Sequence, residues 1–282
     1  MKLSVFTVVT PDLSPEQLAD AAKAAGLHGI EWRFKGTPAE VRDQAPSFWG
    51  NNLCSIDPEL SDEETLQFKQ VTESRGLVVA GLTPYLNNLD LAETEHAFRK
   101  AKLIGAAAIR VGVAGYDGST PYPELYEKTV RYLKEAEQMA KQFGVKGLVE
   151  THHNTISPSA SLAHRLVSHC DSDHIGVLFD PGNMVHEGYE HWRMGLELLG
   201  PYLAHVHVKN TGWFENGQRE DGTVRWESRW APLAAGSVDF AAVLKHLKAV
   251  GYDGWLGVED FSKQYGSEEL LREFVKFVQE RV

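Results

Sequence analysis

Four side chains in the second half of the chain are of types that bind a hard divalent cation, and each stands at or near the end of a short apolar run. The runs are VKGLVE closing on Glu150, IGVLFD closing on Asp180, AHVHVKN carrying His207, and WLGVED carrying Glu259. An ionisable group at the end of a buried strand is costly unless it is paired or ligated. Four in succession, separated by helix-length stretches, predict strands that converge on one rim, which is where a parallel α/β barrel keeps its chemistry. Any one of these acids alone reads as well as a salt-bridged rim residue. Their joint position favours a metal site of three carboxylates and one imidazole. Such a thiolate-free set suits Mn2+, with Mg2+, Co2+ and Zn2+ as alternatives.

The HVHVK run offers a choice of imidazoles. Strand alternation sends His205, His207 and Lys209 to one face. His207 is nearer the rim and is the expected ligand, with His205 behind it, where a hydrogen bond would orient it. Further polar residues sit near strand ends: Glu31 and Arg33 in the second strand, Arg110 in the fourth, and His152 and His153 after Glu150. Alternation puts His152 on the face of Glu150, which makes it the better substrate contact of the two histidines. Arg110, Glu31 and Lys209 are candidates for the same role, Lys209 through a carboxylate or phosphate. Rim salt bridges would explain each of them equally well.

The elements that must position these groups alternate from end to end. KLSVFTVV reads as a strand, followed by a helix opened by Ser14 with Pro15 at its first position and ended by Gly26. Strands are expected over 29–34, 77–86 and 107–113, and helices over Asp62–Arg75, Leu91–Ile104 and Tyr122–Phe143. Helices near Ser159–Ser168, Tyr189–Leu199 and Val238–Val250 interleave with the four ligand-bearing strands, and Glu268–Val282 closes the chain. Eight strands and eight helices predict a single (β/α)8 TIM barrel over residues 1–282. Two long rim segments interrupt the alternation, one near 35–59 and one near 211–236. The second, TGWFENGQREDGTVRW in its first part, would either cover the site or form a surface hairpin. An open doubly wound sheet would often show a glycine-rich turn after its first strand, and FTVVTPDLS has none.

Composition agrees with an α/β enzyme. The chain has 282 residues, 43% of them hydrophobic, enough for one barrel with a sizeable core. Cys54 and Cys170 lack metal or redox spacing and read as buried thiols. No stretch approaches the roughly 20 apolar residues of a membrane span, and the N-terminus reads as a first strand of a cytoplasmic protein. The formal charge of −11 disfavours nucleic acid as a partner and fits a small polyhydroxylated substrate. Pairing of barrels into a homo-oligomer is left open.

The contexts LVETHH, FDPGN, HVHVKN and GVEDF, in that order, resemble the sugar phosphate isomerase/epimerase group of xylose-isomerase-like barrels, over nearly the whole chain. Each motif is short, and their order and strand context carry the resemblance. It implies one metal held by Glu150, Asp180, His207 and Glu259. It also implies a proton shuttle in which Glu150 and Glu259 face opposite sides of the carbon that loses its proton. One position departs from the pattern: these epimerases often carry a histidine three residues after the metal-binding aspartate, and here Asn183 stands there, with His186 three further on. Both are expected to contact substrate. The implied activity is that of a metal-dependent isomerase or epimerase of carbohydrate metabolism, acting on a small sugar, ketose or sugar acid. A metal-dependent lyase that dehydrates a polyol or keto-acid would use the same enolate chemistry and is the alternative. A multi-zinc abasic-site endonuclease, which this fold also hosts, would need further ligands and a basic face.

Overall fold

Parallel strands buried on both faces need no polar alternation, and the apolar runs of this chain become such strands. The computed structural model describes residues 1–86 and 88–282. Its strands are β1 (Lys2–Phe6), β2 (Gly29–Phe34), β3 (Ser55–Ile56), β4 (Val78–Pro84), β5 (Ala108–Arg110), β6 (Lys146–Glu150), β7 (Ile175–Phe179), β8 (Leu203–Val208), β9 (Asn210–Gln218), β10 (Val224–Ala231) and β11 (Trp255–Val258). The helices are α1 (Pro15–Ala25), α2 (Asp62–Ser74), α3 (Leu91–Ile104), α4 (Tyr122–Phe143), α5 (Ala160–Val167), α6 (Pro181–Glu187), α7 (Trp192–Leu199), α8 (Phe240–Ala249) and α9 (Ser267–Gln279).

Strands β1, β2, β4, β5, β6, β7, β8 and β11 pair in parallel in that order, and β11 pairs with β1, so the sheet closes into an eight-stranded (β/α)8 barrel. Every residue of β2 and β7 is buried, as expected of strands covered by helices outside and side chains within. Local chemistry starts the helices where the sequence predicts. Ser14 and Gln17 form a reciprocal capping box around the start of α1, and Gly26 ends that helix at φ +91°. Ser61 with Glu64 does the same for α2.

Several boundaries differ from the sequence expectation, each for a local reason. The first strand stops at Phe6, because Thr7 Oγ1 donates to the Cys54 carbonyl at 2.7 Å and accepts from the Arg33 amide at 2.9 Å, turning the chain into a short 3-10 segment. The strand expected over 107–113 is confined to three residues, and the amide of Gly112 donates instead to the Tyr132 hydroxyl at 3.1 Å. The rim segment 35–59 holds a 3-10 turn and the two-residue β3, which pairs with the end of β2. The segment after β8 is an antiparallel hairpin of β9 and β10. Helix α6 was not anticipated. It follows β7 without a loop because Asp180 is its N-cap, accepting from the Asn183 amide at 2.8 Å, and Pro181 sits at its first position.

Candidate active site

The barrel brings the four predicted ligands to one place. Glu150 is the last residue of β6, Asp180 and Glu259 directly follow β7 and β11, and His207 is the penultimate residue of β8. One ligand atom from each lies within 4.8 Å of the others, and all four residues are buried. His207 Nδ1 stands 3.5 Å from Glu259 Oε2 and 3.7 Å from both Glu150 Oε1 and Asp180 Oδ2. It makes no hydrogen bond among the described residues. The other ring nitrogen, Nε2, meets Glu31 Oε2 at 3.1 Å. A carboxylate on the far nitrogen is the usual way of fixing the tautomer and orientation of a metal-binding histidine. Phe6 stacks on the imidazole at 5.8 Å between centroids. Gly257 makes room beside it, since a Cβ there would approach His205 Nε2 to 3.1 Å and His207 Cδ2 to 3.3 Å.

Two permanent cations serve the three rim carboxylates. Arg110 pairs with Glu150 Oε2 at 2.6 Å. Lys209 Nζ lies 2.8 Å from Asp180 Oδ2 and contacts Glu259 Oε2. Burial opposes ionisation of Glu150, but the Arg110 guanidinium overrides it and holds the carboxyl well below the usual range. Burial likewise opposes ionisation of Asp180, and Lys209 keeps its carboxyl low. Burial would lower His207, yet the Glu31 and Glu259 carboxylates push it well above its ordinary value. The point facing His207 Nδ1 is therefore strongly negative and is satisfied by a proton or by a cation. An unpartnered buried nitrogen among three carboxylate oxygens is a donor set that fits a hard divalent ion.

A cavity of about 380 Å3 opens above this cluster. Arg110, Glu150, His152, Lys209 and Glu259 line it. Three other expected substrate contacts lie one layer away. Glu31 is buried inside the barrel, held by Thr83 Oγ1 and by His207. Asn183 is fully buried and donates through Nδ2 to Asp180 Oδ2 at 3.0 Å and Glu150 Oε1 at 3.2 Å, so its amide faces the carboxylates. Its position follows from α6, whose first turn aims back at its own cap. His186, a turn further on, accepts or donates at Nδ1 to Ser228 Oγ of the hairpin at 2.8 Å and stacks on His153 at 4.2 Å. His205 stays in the barrel interior, with Nε2 3.3 Å from Glu31.

With this geometry in hand, known proteins give a consistent picture. A family model described as the xylose isomerase-like TIM barrel matches residues 19–281. The chain belongs to this family. Inosose dehydratase of Geobacillus thermodenitrificans is 25% identical over 222 residues, which cover 70% of this chain and 73% of that protein. An uncharacterized protein of Methanocaldococcus jannaschii is 26% identical over 167 residues, 56% of this chain and only about half, 52%, of its own length. Among solved structures, 3-keto-D-glucoside 4-epimerase from E. coli shares the fold with a TM-score of 0.71 at 16% identity, covering 99% of both chains. The relatives of this xylose isomerase-like barrel thus include a dehydratase, and an epimerase shares its fold.

The cavity of this family member also holds residues that the sequence reading ranked lower or did not name. His153, ranked below His152, also lines the cavity, and its Nδ1 meets Asn183 Oδ1 at 3.1 Å. Asn183 spends its Nδ2 on the carboxylates, so the Nδ1 of His153 is the donor in this pair. Burial, with the neighbouring His152 and His186, lowers the His153 imidazole to about 4, so it is neutral at pH 7. Tyr85, Trp49, Trp230 and Phe261 supply the apolar walls. Trp230 and Phe261 also flank the Lys209 ammonium, at 5.1 and 5.4 Å from their ring centroids. No periodicity marks these aromatics, because they come from a rim loop, a hairpin and two strand ends.

The His207 electrostatics give a pH prediction. Below the raised pKa of His207, each ion that binds must displace one proton, so Mn2+ affinity rises about tenfold per pH unit in that range. Calorimetry in buffers of different ionisation enthalpy is expected to count about one proton released per ion at pH 7; none released would mean that His207 is already neutral in the metal-free protein or is not a ligand, and the Mn2+ affinity of His207→Ala separates the two.

Proposed function

We propose that this protein is a metal-dependent enzyme that moves a proton on the carbon next to the carbonyl of a small sugar, ketose or sugar acid, acting as an isomerase or epimerase through an enediolate. The observation that carries this reading is the unpartnered Nδ1 of His207 facing three carboxylate oxygens at the floor of a cavity sized for one small molecule. Glu150, Asp180, His207 and Glu259 would hold one divalent ion, Mn2+ by preference. When bound, that ion polarises a carbonyl and raises the acidity of the carbon beside it. Glu259 would take the proton and, in an isomerisation, give it back to the neighbouring carbon; in an epimerisation Glu150, ionised in the free enzyme, would return a proton from the other side only after taking one up from a substrate hydroxyl or water. Arg110 keeps Glu150 ionised and orients it. Tyr85, whose buried hydroxyl lacks a protein partner among the described residues, lines the cavity with His152, which can meet a substrate hydroxyl. Trp230 and Phe261 shield the reacting carbon from water, which strengthens each of these charges.

A second reading, dehydration of a polyol or keto-acid, is favoured by Lys209. Its ammonium lines the cavity and is raised in pKa because Asp180 and Glu259 outweigh its burial. Placed beside the base, the ammonium can hydrogen-bond a departing β-hydroxyl and stabilise the charge it develops, giving up a proton only as that charge forms. The two outcomes separate in one experiment. The Mn2+-loaded protein is incubated in deuterated water with ketoses and with inososes, and NMR follows exchange of the α-proton and the product formed. An isomer or epimer supports the first reading and an unsaturated product the second; no exchange with any of them, with metal bound, overturns both. If elimination is the outcome, Lys209→Met is expected to keep α-proton exchange while cutting product formation by roughly 10²- to 10⁴-fold, the usual contribution of a general acid.

A further inference from the structure

The cavity above Glu259 has a neighbour. Trp49, Trp230 and Phe261 line both it and a second cleft of about 680 Å3, large enough for a small ligand of its own. The chain passes from one to the other within two residues: Glu259 lines the first, Asp260 the second, and Phe261 both. The two clefts therefore adjoin along this strand end and share the walls of Trp49, Trp230 and Phe261. The walls of the second cleft join flat apolar faces to hydrogen-bonding groups. Phe48 and Trp49 pack on Phe261 at 5.3 and 4.9 Å, and Trp49 remains 53% exposed. Beside them stand Asp260, Ser262 and Gln264. Asp12 and Asp260 outnumber Lys263 among the charged residues there, which argues against a phosphate or carboxylate and for a neutral, hydroxyl-bearing ligand.

We propose that this second cleft is a subsite for a second sugar ring, so that the preferred substrate is a two-ring keto-sugar whose reacting ring lies over the four-residue cluster and whose other ring rests against Trp49 and Phe48. The inference deepens the isomerase or epimerase reading and depends on it for which ring reacts. Binding alone tests the subsite. Calorimetry on the Mn2+-loaded protein would compare maltulose, lactulose and isomaltulose with fructose, the ring they share. At least one two-ring sugar is expected to bind ten or more times tighter than fructose, and Phe48→Ala and the exposed Gln264→Ala are each expected to shrink that advantage. Equal affinity for all four sugars, no binding by any, or an advantage untouched by both variants would overturn the proposal. A two-ring preference without α-proton exchange would keep the subsite and reject the proton-transfer reading. Exchange on fructose without the preference would do the reverse.

Discussion

His207→Ala is expected to give a folded barrel that no longer holds a divalent ion. An outer partner of a metal ligand typically contributes 10- to 100-fold in affinity, so loss of the ligand nitrogen itself should weaken Mn2+ binding by more than about 100-fold and remove turnover with it. The stability cost is moderate. Glu31 loses one hydrogen-bond partner, worth about 1–3 kcal/mol when the group is buried, but Thr83 remains bonded to it and His205 stays 3.3 Å away. Denaturant unfolding together with calorimetric Mn2+ titration checks both halves. A variant that binds Mn2+ as tightly as the parent would remove the four-residue site from consideration.

Glu259→Gln is expected to reduce α-proton exchange by about 10²- to 10⁴-fold, the range a positioned acid or base contributes. The amide preserves shape and can still ligate through its oxygen, so metal affinity should fall far less than exchange does. That split between binding and rate distinguishes a base from a mere ligand. Glu150→Gln is a poorer probe, since it strands the half-buried Arg110 guanidinium 2.6 Å away; breaking a buried pair from one side costs about 3–5 kcal/mol. A fully active Glu259→Gln enzyme would refute the assigned role.

Acid should unfold the metal-free protein earlier than its core suggests. Glu31, Glu150 and Asp180 all have carboxyl pKa values below their ordinary range in the folded state. Their stabilisation is complete above the unfolded values near pH 4 and is lost as pH falls through the folded ones. His207 works in the other direction: its raised pKa contributes stability below about pH 6.5, which is lost as pH climbs through the folded value. Unfolding measured across pH with and without Mn2+ separates the two arms, because the bound ion replaces the His207 proton.

The four cluster residues were legible in the sequence because their position is a local property. A strand declares itself by its apolar run, the residue that ends it lies at the barrel rim, and alternation puts His205, His207 and Lys209 on one face without reference to anything distant. The capping boxes of α1 and α2 were legible for the same reason, since Ser14 with Gln17 and Ser61 with Glu64 interact within one turn. Helix α6 was hidden because its cap, Asp180, had already been read as a ligand, and the two oxygens of one carboxylate can divide those tasks: Oδ1 caps the helix while Oδ2 faces Lys209 and the cluster.

What only the tertiary structure decided is which polar residue meets which. Glu31 belongs behind His207, 176 residues away in the chain, because barrel closure carries β2 across the interior from β8. Strand position alone could not separate that buried place from a place in the cavity. The aromatic walls are likewise assembled from Trp49 in a rim loop, Trp230 in a hairpin and Phe261 after the last strand, segments joined by no periodicity. The sequence by itself determined the fold and the residues at the strand ends, since hydrophobic spacing and local hydrogen bonds act over a few residues. Their partners, charges and covering walls came from contacts across the closed barrel, where distance in space has no simple relation to distance along the chain.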